Sequence, residues 1–260
     1  MYVLCVILFA YRADPRYALA VAANRDEYHD RAASPLAFWR DEPQLLAGRD
    51  LLGGGTWVGV TRTGRLAAIT NYREPSVTPR VDAPSRGQLT RNFLSSTEGA
   101  SVYLNAIAAG ADDYAGFSLI VFDGVSLAFF SNRGGPPKEL APGVYGLSNH
   151  LLDTPWPKVS RGRERLSASL ANGGDPVPEL FQILADRSFG EDDELPRTGL
   201  SPELERALSP LFVTGEQYGT RSSTVVLVGE HEIEASERAF SPDASQHGAR
   251  AYRFDRDPVA

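Results

Sequence analysis

A single cysteine, Cys5, stands near the start of the chain, and the polar cluster Asn24-Arg25-Asp26-Glu27 closes the next apolar segment. A thiolate is a nucleophile and an arginine beside it lowers the thiol pKa from about 8.5. Thiol, guanidinium, carboxylate and amide together suit acyl transfer: a nucleophile, a donor for the oxyanion and a group that handles the proton. The four histidines are not spaced as metal pairs, and nothing in the spacing makes His150 the base for Cys5. Were Cys5 the first residue, its own α-amine, with a pKa near 8, could take the thiol proton. The alternative for Cys5 is a small apolar core residue. Further polar groups follow apolar runs at Thr70-Asn71-Tyr72-Arg73, Leu147-Ser148-Asn149-His150 and Gly219-Thr220-Arg221-Ser222-Ser223. Adjacent strands would bring several such ends to one rim.

Those ends must be positioned by hairpins. Val3–Ala10 and Tyr17–Ala23 are apolar and flank Ala13-Asp14-Pro15-Arg16, a turn signal in which Pro fixes φ. With those four residues as the loop, Arg12 pairs with Tyr17 and Cys5 with Asn24, roughly 5 Å apart between Cα atoms. A slip of one residue would bring Arg25 or Ala23 opposite instead. Trp57–Val60 and Leu66–Thr70 flank a Thr63-Gly64 turn that carries Asn71 to Thr56, beside Gly53-Gly54-Gly55. That glycine run has neither phosphate-loop pattern and reads as closely approached backbone. Phe117–Phe122 and Val125–Phe130 flank Asp123-Gly124, a third hairpin. Val144–Leu147, Thr224–Val228, Glu232–Ser236 and Ala251–Phe254 read as strands. Gly87–Ser95, Ser101–Ala109 and Trp156–Leu170 read as helices, the last with Thr154 as N-cap. Asp175-Pro176 and Ser201-Pro202 each offer an N-cap followed by proline. Strands with a middle block of helices indicate an α+β domain of antiparallel sheets covered by helices.

Composition sets the bounds. The 260 residues, 42% hydrophobic and 23% charged, suit one folded domain over 1–260. A net charge of −7 argues against general nucleic-acid binding. One cysteine excludes an intrachain disulfide and a thiolate-rich zinc site, and agrees with a cytoplasmic location. The N-terminal apolar run is too short to span a bilayer and lacks the marks of a signal peptide. No integral membrane segment and no resident metal are expected.

The motifs Cys5-Val6-Ile7-Leu8-Phe9, Ala22-Ala23-Asn24-Arg25-Asp26-Glu27, Leu46-Ala47-Gly48-Arg49-Asp50, Gly54–Val60 and Leu66–Arg73 together resemble the NRDE family, also called the Transport and Golgi organization 2 family. The likeness continues more thinly through Tyr145–Asn149 and Gly219–Val225. The resemblance implies an N-terminal nucleophile hydrolase fold, a four-layer αββα sandwich of two antiparallel sheets. It implies Cys5 as nucleophile, Asp26 contacting the cysteine amine, Asn71 or Tyr72 in the oxyanion region, Asn149 as oxyanion-hole asparagine and Arg221 as the late active-site arginine. Asn24, Arg25, Trp57, Tyr72 and Arg73 are the expected substrate contacts. The arginine that related acylases carry three residues before the aspartate is here Ala23. The implied activity is hydrolysis of a C–N amide or related acyl bond on a small molecule, through a Cys5 thioester and without a required cofactor. Met1-Tyr2-Val3-Leu4 precede Cys5, so a free amine needs processing or a start at Leu4. The competing implication is a non-catalytic carrier of haem or an acyl-CoA or lipid-type ligand, since family members are linked to haem mobilisation and lipid homeostasis.

Overall fold

The computed structural model describes residues 5–78 and 82–258. Val3 and Leu4 of the first apolar run, with Met1 and Tyr2, lie outside them. Two antiparallel sheets stack face to face. The first has six strands in the order β10 (Gly143–Leu147), β1 (Cys5–Asp14), β2 (Tyr17–Tyr28), β11 (Tyr218–Gly229), β12 (Glu232–Phe240) and β13 (Gln246–Asp255). The second has seven in sequence order: β3 (Ala33–Phe38), β4 (Leu45–Asp50), β5 (Val58–Thr61), β6 (Leu66–Asn71), β7 (Phe117–Phe122), β8 (Leu127–Ser131) and β9 (Lys138–Glu139).

Strand alternation sorts side chains into layers. Ile7, Phe9 and Tyr11 of β1, with Leu19, Val21 and Ala23 of β2, meet Val58, Val60, Leu66 and Ala68 between the sheets. Val6, Leu8, Ala20 and Ala22 point the other way, onto α3 (Pro157–Ala171) and α4 (Val177–Leu184). Ala67, Leu119 and Val121 pack against α1 (Gly87–Ser95) and α2 (Ala100–Ala108). A short α5 (Pro202–Ala207) is capped by Ser201, whose Oγ accepts from Leu204 N at 3.4 Å. The layering is αββα, as the family resemblance implies.

Each expected hairpin forms, but each register is shifted. In the first, the turn is the two residues Pro15-Arg16, and a bulge follows at Arg12, with φ 47°. The extra residue places Cys5 opposite Arg25, and Asn24 opposite Val6. The second loop is Arg62-Thr63-Gly64, so Val58 faces Ala68, one residue away from the expected pairing. The third loop has four residues, Asp123 to Ser126, because Asp123 Oδ1 accepts from both Val125 N and Ser126 N at 2.8 Å. Thr154 does not cap α3; Trp156 stands at its N-cap with Pro157 in the first turn.

Candidate functional site

Cys5 opens β1 on the face that looks between the sheets, and it is buried. It lines a cavity of about 390 Å³ with Arg25, Glu27, Arg31, Asp50, Trp57, Asn71 and Arg86. Strand pairing delivers Arg25 directly, and the end of β6 delivers Asn71. Asp50 and Trp57 come from either end of the glycine run. Asp50 Oδ1 accepts from Leu52 N and Gly53 N at 2.9 Å, folding the run back. Gly54 takes φ 70°, and a Cβ on Gly55 would lie 2.2 Å from the Gly87 carbonyl carbon. Glycine is therefore needed where this loop meets the start of α1.

The main chain of Cys5 is held as firmly as its side chain is enclosed. Its N–H donates to Asn149 Oδ1 at 3.0 Å, and its carbonyl accepts from Ser148 Oγ at 3.0 Å. Asn149 Nδ2 donates to the Asn71 carbonyl at 3.0 Å, and the Asn149 carbonyl accepts from Arg73 N at 2.7 Å. Asn149, just past β10 and at φ 52°, thus ties the first strand of one sheet to the end of β6 in the other.

Charges around the thiol are compensated locally. Arg25 lies 4.4 Å over the Trp57 ring, 3.5 Å from Glu27 and 3.8 Å from Asp50. Arg31 pairs with Asp50 at 2.8 Å and Glu27 at 3.5 Å. Arg86 donates to the Gly116 carbonyl at 2.9 Å, and burial, with Arg31 nearby, pulls it down to about 10. Burial, then the Asp26 carboxylate, push the Cys5 thiol up to about 12; the Asp26 N–H and Arg25 oppose them only in part. As a main-chain amide-linked residue, Cys5 is a protonated thiol at neutral pH.

Asp26 is fully buried on the helix side of β2. Thr220 Oγ1 donates to its Oδ1 at 2.6 Å, while Oδ2 has no hydrogen-bond partner among the described residues. Lys158, in the first turn of α3, is 1% exposed, and its Nζ likewise has none. Burial raises the Asp26 pKa and lowers that of Lys158, and each holds the other's charge in place against burial. Sequence spacing gave no sign of Lys158, Arg31 or Arg86.

Other expected site residues lie elsewhere. Asn24 faces the helices: its Nδ2 donates to the Leu184 and Leu211 carbonyls at 2.8 Å, and its Oδ1 accepts from Ser223 Oγ at 2.6 Å. The one-residue register shift puts it there. Arg73 is buried against Glu205 at 2.5 Å and lies 4.4 Å over the Trp156 ring, outside the cavity wall. The Tyr72 hydroxyl bonds His150 Nε2 at 2.7 Å, and the two rings pack together. Arg221 sits at a bulge between Thr220 and Ser222, donates to the Tyr28 and Arg31 carbonyls, and lines a second cavity rather than that of Cys5. Among the described residues no cluster of His, Cys, Asp and Glu could hold a metal ion, and no helix is long and apolar enough to cross a membrane.

Two antiparallel sheets between helical layers, with the first strand opening on a thiol in the inter-sheet cavity, define a protein of αββα architecture. Residues 4–242 match the Transport and Golgi organisation 2 family, and the chain belongs to it. It is 33% identical over 277 residues to the mouse Transport and Golgi organization 2 homolog, covering 96% of this chain and 99% of that one. The human homolog is 34% identical, with the same coverage, and the fruit-fly protein 28% identical over 92% of this chain and 94% of that one. Among solved structures, a nematode (Caenorhabditis elegans) N-acylethanolamine-hydrolyzing acid amidase ortholog is similar in layout at 14% identity and TM-score 0.43, covering 86% of this chain and 92% of that one. A mutant conjugated bile acid hydrolase of Clostridium perfringens is similar at 8% identity and TM-score 0.49, covering 98% and 94%.

Proposed function

We propose that the chain, once Cys5 is its first residue, hydrolyses a C–N amide or related acyl bond through a Cys5 thioester. The observation that carries this reading is the seat of the Cys5 nitrogen. It rests on Asn149 Oδ1 at 3.0 Å, next to a thiol that feels the charge of the buried Asp26 carboxylate. An amide nitrogen has one proton, which Asn149 takes; a free amine has further protons for Asp26. In the cycle, the α-amine accepts the thiol proton as sulfur attacks the carbonyl carbon. The oxyanion forms beside Asn71, which lines the cavity. Collapse breaks the C–N bond, and the α-ammonium protonates the departing amine. Water then attacks the thioester, gives a proton to the α-amine, and releases the acid as the thiol is restored. Arg25 is the cation beside the nucleophile; Asp26 orients the amine. No cofactor enters this cycle.

One observation favours a second reading for a chain that keeps residues 1–4. There the Cys5 nitrogen is an amide whose one proton goes to Asn149, so no α-amine takes the thiol proton, and burial and the Asp26 charge hold the thiol in its protonated form. Such a chain would be a carrier of haem or an acyl-CoA or lipid-type ligand, working in the cytoplasm. Intact mass of protein expressed from its native gene separates the two. A chain beginning at Cys5, active on N-acyl amides and inactive as Cys5→Ala with ligand binding kept, is the expected result. A retained Met1, or turnover unchanged in Cys5→Ala, overturns the hydrolase.

A further inference from the structure

A second, larger cavity of about 550 Å³ adjoins that of Cys5. Its wall includes Arg25, Trp57, Arg221, Glu237, Phe240 and Arg250. Arg25 and Trp57 line both spaces, so their stacked pair, 4.4 Å apart, is the partition between them.

The charge of this cavity is unbalanced. Its one carboxylate, Glu237, is 3% exposed and already engaged: Oε1 accepts from Leu36 N at 2.7 Å. Arg221 gives its Nη1 to two main-chain carbonyls and has no carboxylate within ion-pair distance among the described residues. Arg250 is exposed on β13 and has no ion pair there either. Arg25 is compensated by Glu27 and Asp50, so two guanidinium groups without an ion pair, Arg221 and Arg250, face one buried, hydrogen-bonded acid. Guanidinium is suited to two-pronged contact with carboxylate and phosphate oxygens. The rest of the wall joins apolar Trp57, Phe240 and Pro35 to the polar Ser34, Ser222 and His247. The volume is that of a small-molecule site.

The geometry points to this cavity as a binding site for an amphiphilic oxyanion, a carboxylate or phosphate monoester with an apolar body. Arg221 and Arg250 hold the head group, and the Arg25–Trp57 pair separates it from the thiol. In the hydrolase reading, on which this link alone rests, the acyl end of such a substrate passes that pair to reach Cys5.

The test uses the full chain carrying Cys5→Ala, so binding is read without chemistry. Tryptophan fluorescence is titrated with decanoate, decyl phosphate and decyltrimethylammonium below their micelle concentrations, with Trp57 as the reporter in the wall. Saturable binding of one or both anions and not of the cation is expected, and the preferred anion names the head group. Arg250→Glu, at an exposed position without a partner, should weaken anion binding by at least about tenfold, the loss of one charge-assisted contact. Arg250→Lys should recover most of it. Equal binding of cation and anion, or unchanged affinity in Arg250→Glu with circular dichroism intact, overturns the assignment. Anion binding by a wild-type chain that begins at Cys5 and turns over no N-acyl amide would sink the hydrolase and leave this site standing.

Discussion

Burial of Cys5 governs how readily its thiol reacts. Its pKa rises from the ordinary 9.0 to about 12, with burial the main cause and the Asp26 charge the second. Three pK units correspond to about 4 kcal/mol, or about a thousandfold less thiolate at neutral pH. In protein that retains residues 1–4, the rate of iodoacetamide alkylation should therefore climb without a midpoint until above about pH 11. Protein beginning at Cys5 should instead show a limb near pH 8, where its amine titrates. The same shift bears on stability. A folded pKa above the unfolded one leaves stability whole below about pH 9. Stability is then lost as pH rises toward 12, since the unfolded chain gives up the proton first. Urea unfolding at pH 8 and pH 11 should show a larger alkaline loss in wild type than in Cys5→Ala, by up to about 3 kcal/mol at pH 11. An alkylation midpoint near pH 9 in the unprocessed protein, or identical alkaline losses in the two proteins, would refute the argument.

Three further perturbations test the surroundings. Lys158→Met leaves Asp26 buried without its cation and should cost about 3–5 kcal/mol, most of it recovered in the double variant with Asp26→Asn; additive costs in urea titrations would show that the pair does not interact. Asn149→Ala should destabilise by more than Asn149→Gly, by about 1 kcal/mol, because alanine resists the left-handed backbone at φ 52°. Glu205→Gln should lower the melting temperature by uncoupling Arg73, yet leave the Cys5 alkylation profile in place; a shifted profile would bring Arg73 into the site after all.

The strand content of the sheets was legible from apolar runs and turn residues, and of the residues picked out at strand ends Cys5, Arg25, Trp57 and Asn71 share the cavity while Asn24, Tyr72, Arg73 and Arg221 do not. Loop length was not. Asp14-Pro15-Arg16 is compatible with either a four-residue loop or a two-residue turn with a bulge, and the choice decides whether Asn24 or Arg25 meets Cys5. β3 went unread because Pro35 interrupts a short edge strand, and prolines are tolerated at such edges. Lys158 was invisible for another reason. It occupies the first turn of a helix whose other charges are solvated, and only tertiary packing turns it toward Asp26. Arg31 and Arg86 come from loops, where no periodicity announces direction.

The fastening of Cys5 lies at a margin. β10 has five residues and pairs only with β1, so it forms one edge of its sheet. Asn149 lies two residues beyond its end. Edge elements open at lower free energy than the centre of a sheet, in units smaller than the whole molecule. Opening of β10 would release the Cys5 nitrogen and the Asn71 carbonyl in one event, while β2 and β11 stay paired. Slow deuterium exchange at Tyr145 and Leu147, compared with that at Val225 and Leu227, would then measure how often the thiol is set loose. Covalent capture of Cys5 in the resting protein would follow the breathing of that edge, and a bound ligand that pins β10 would be felt first as a change in its tempo.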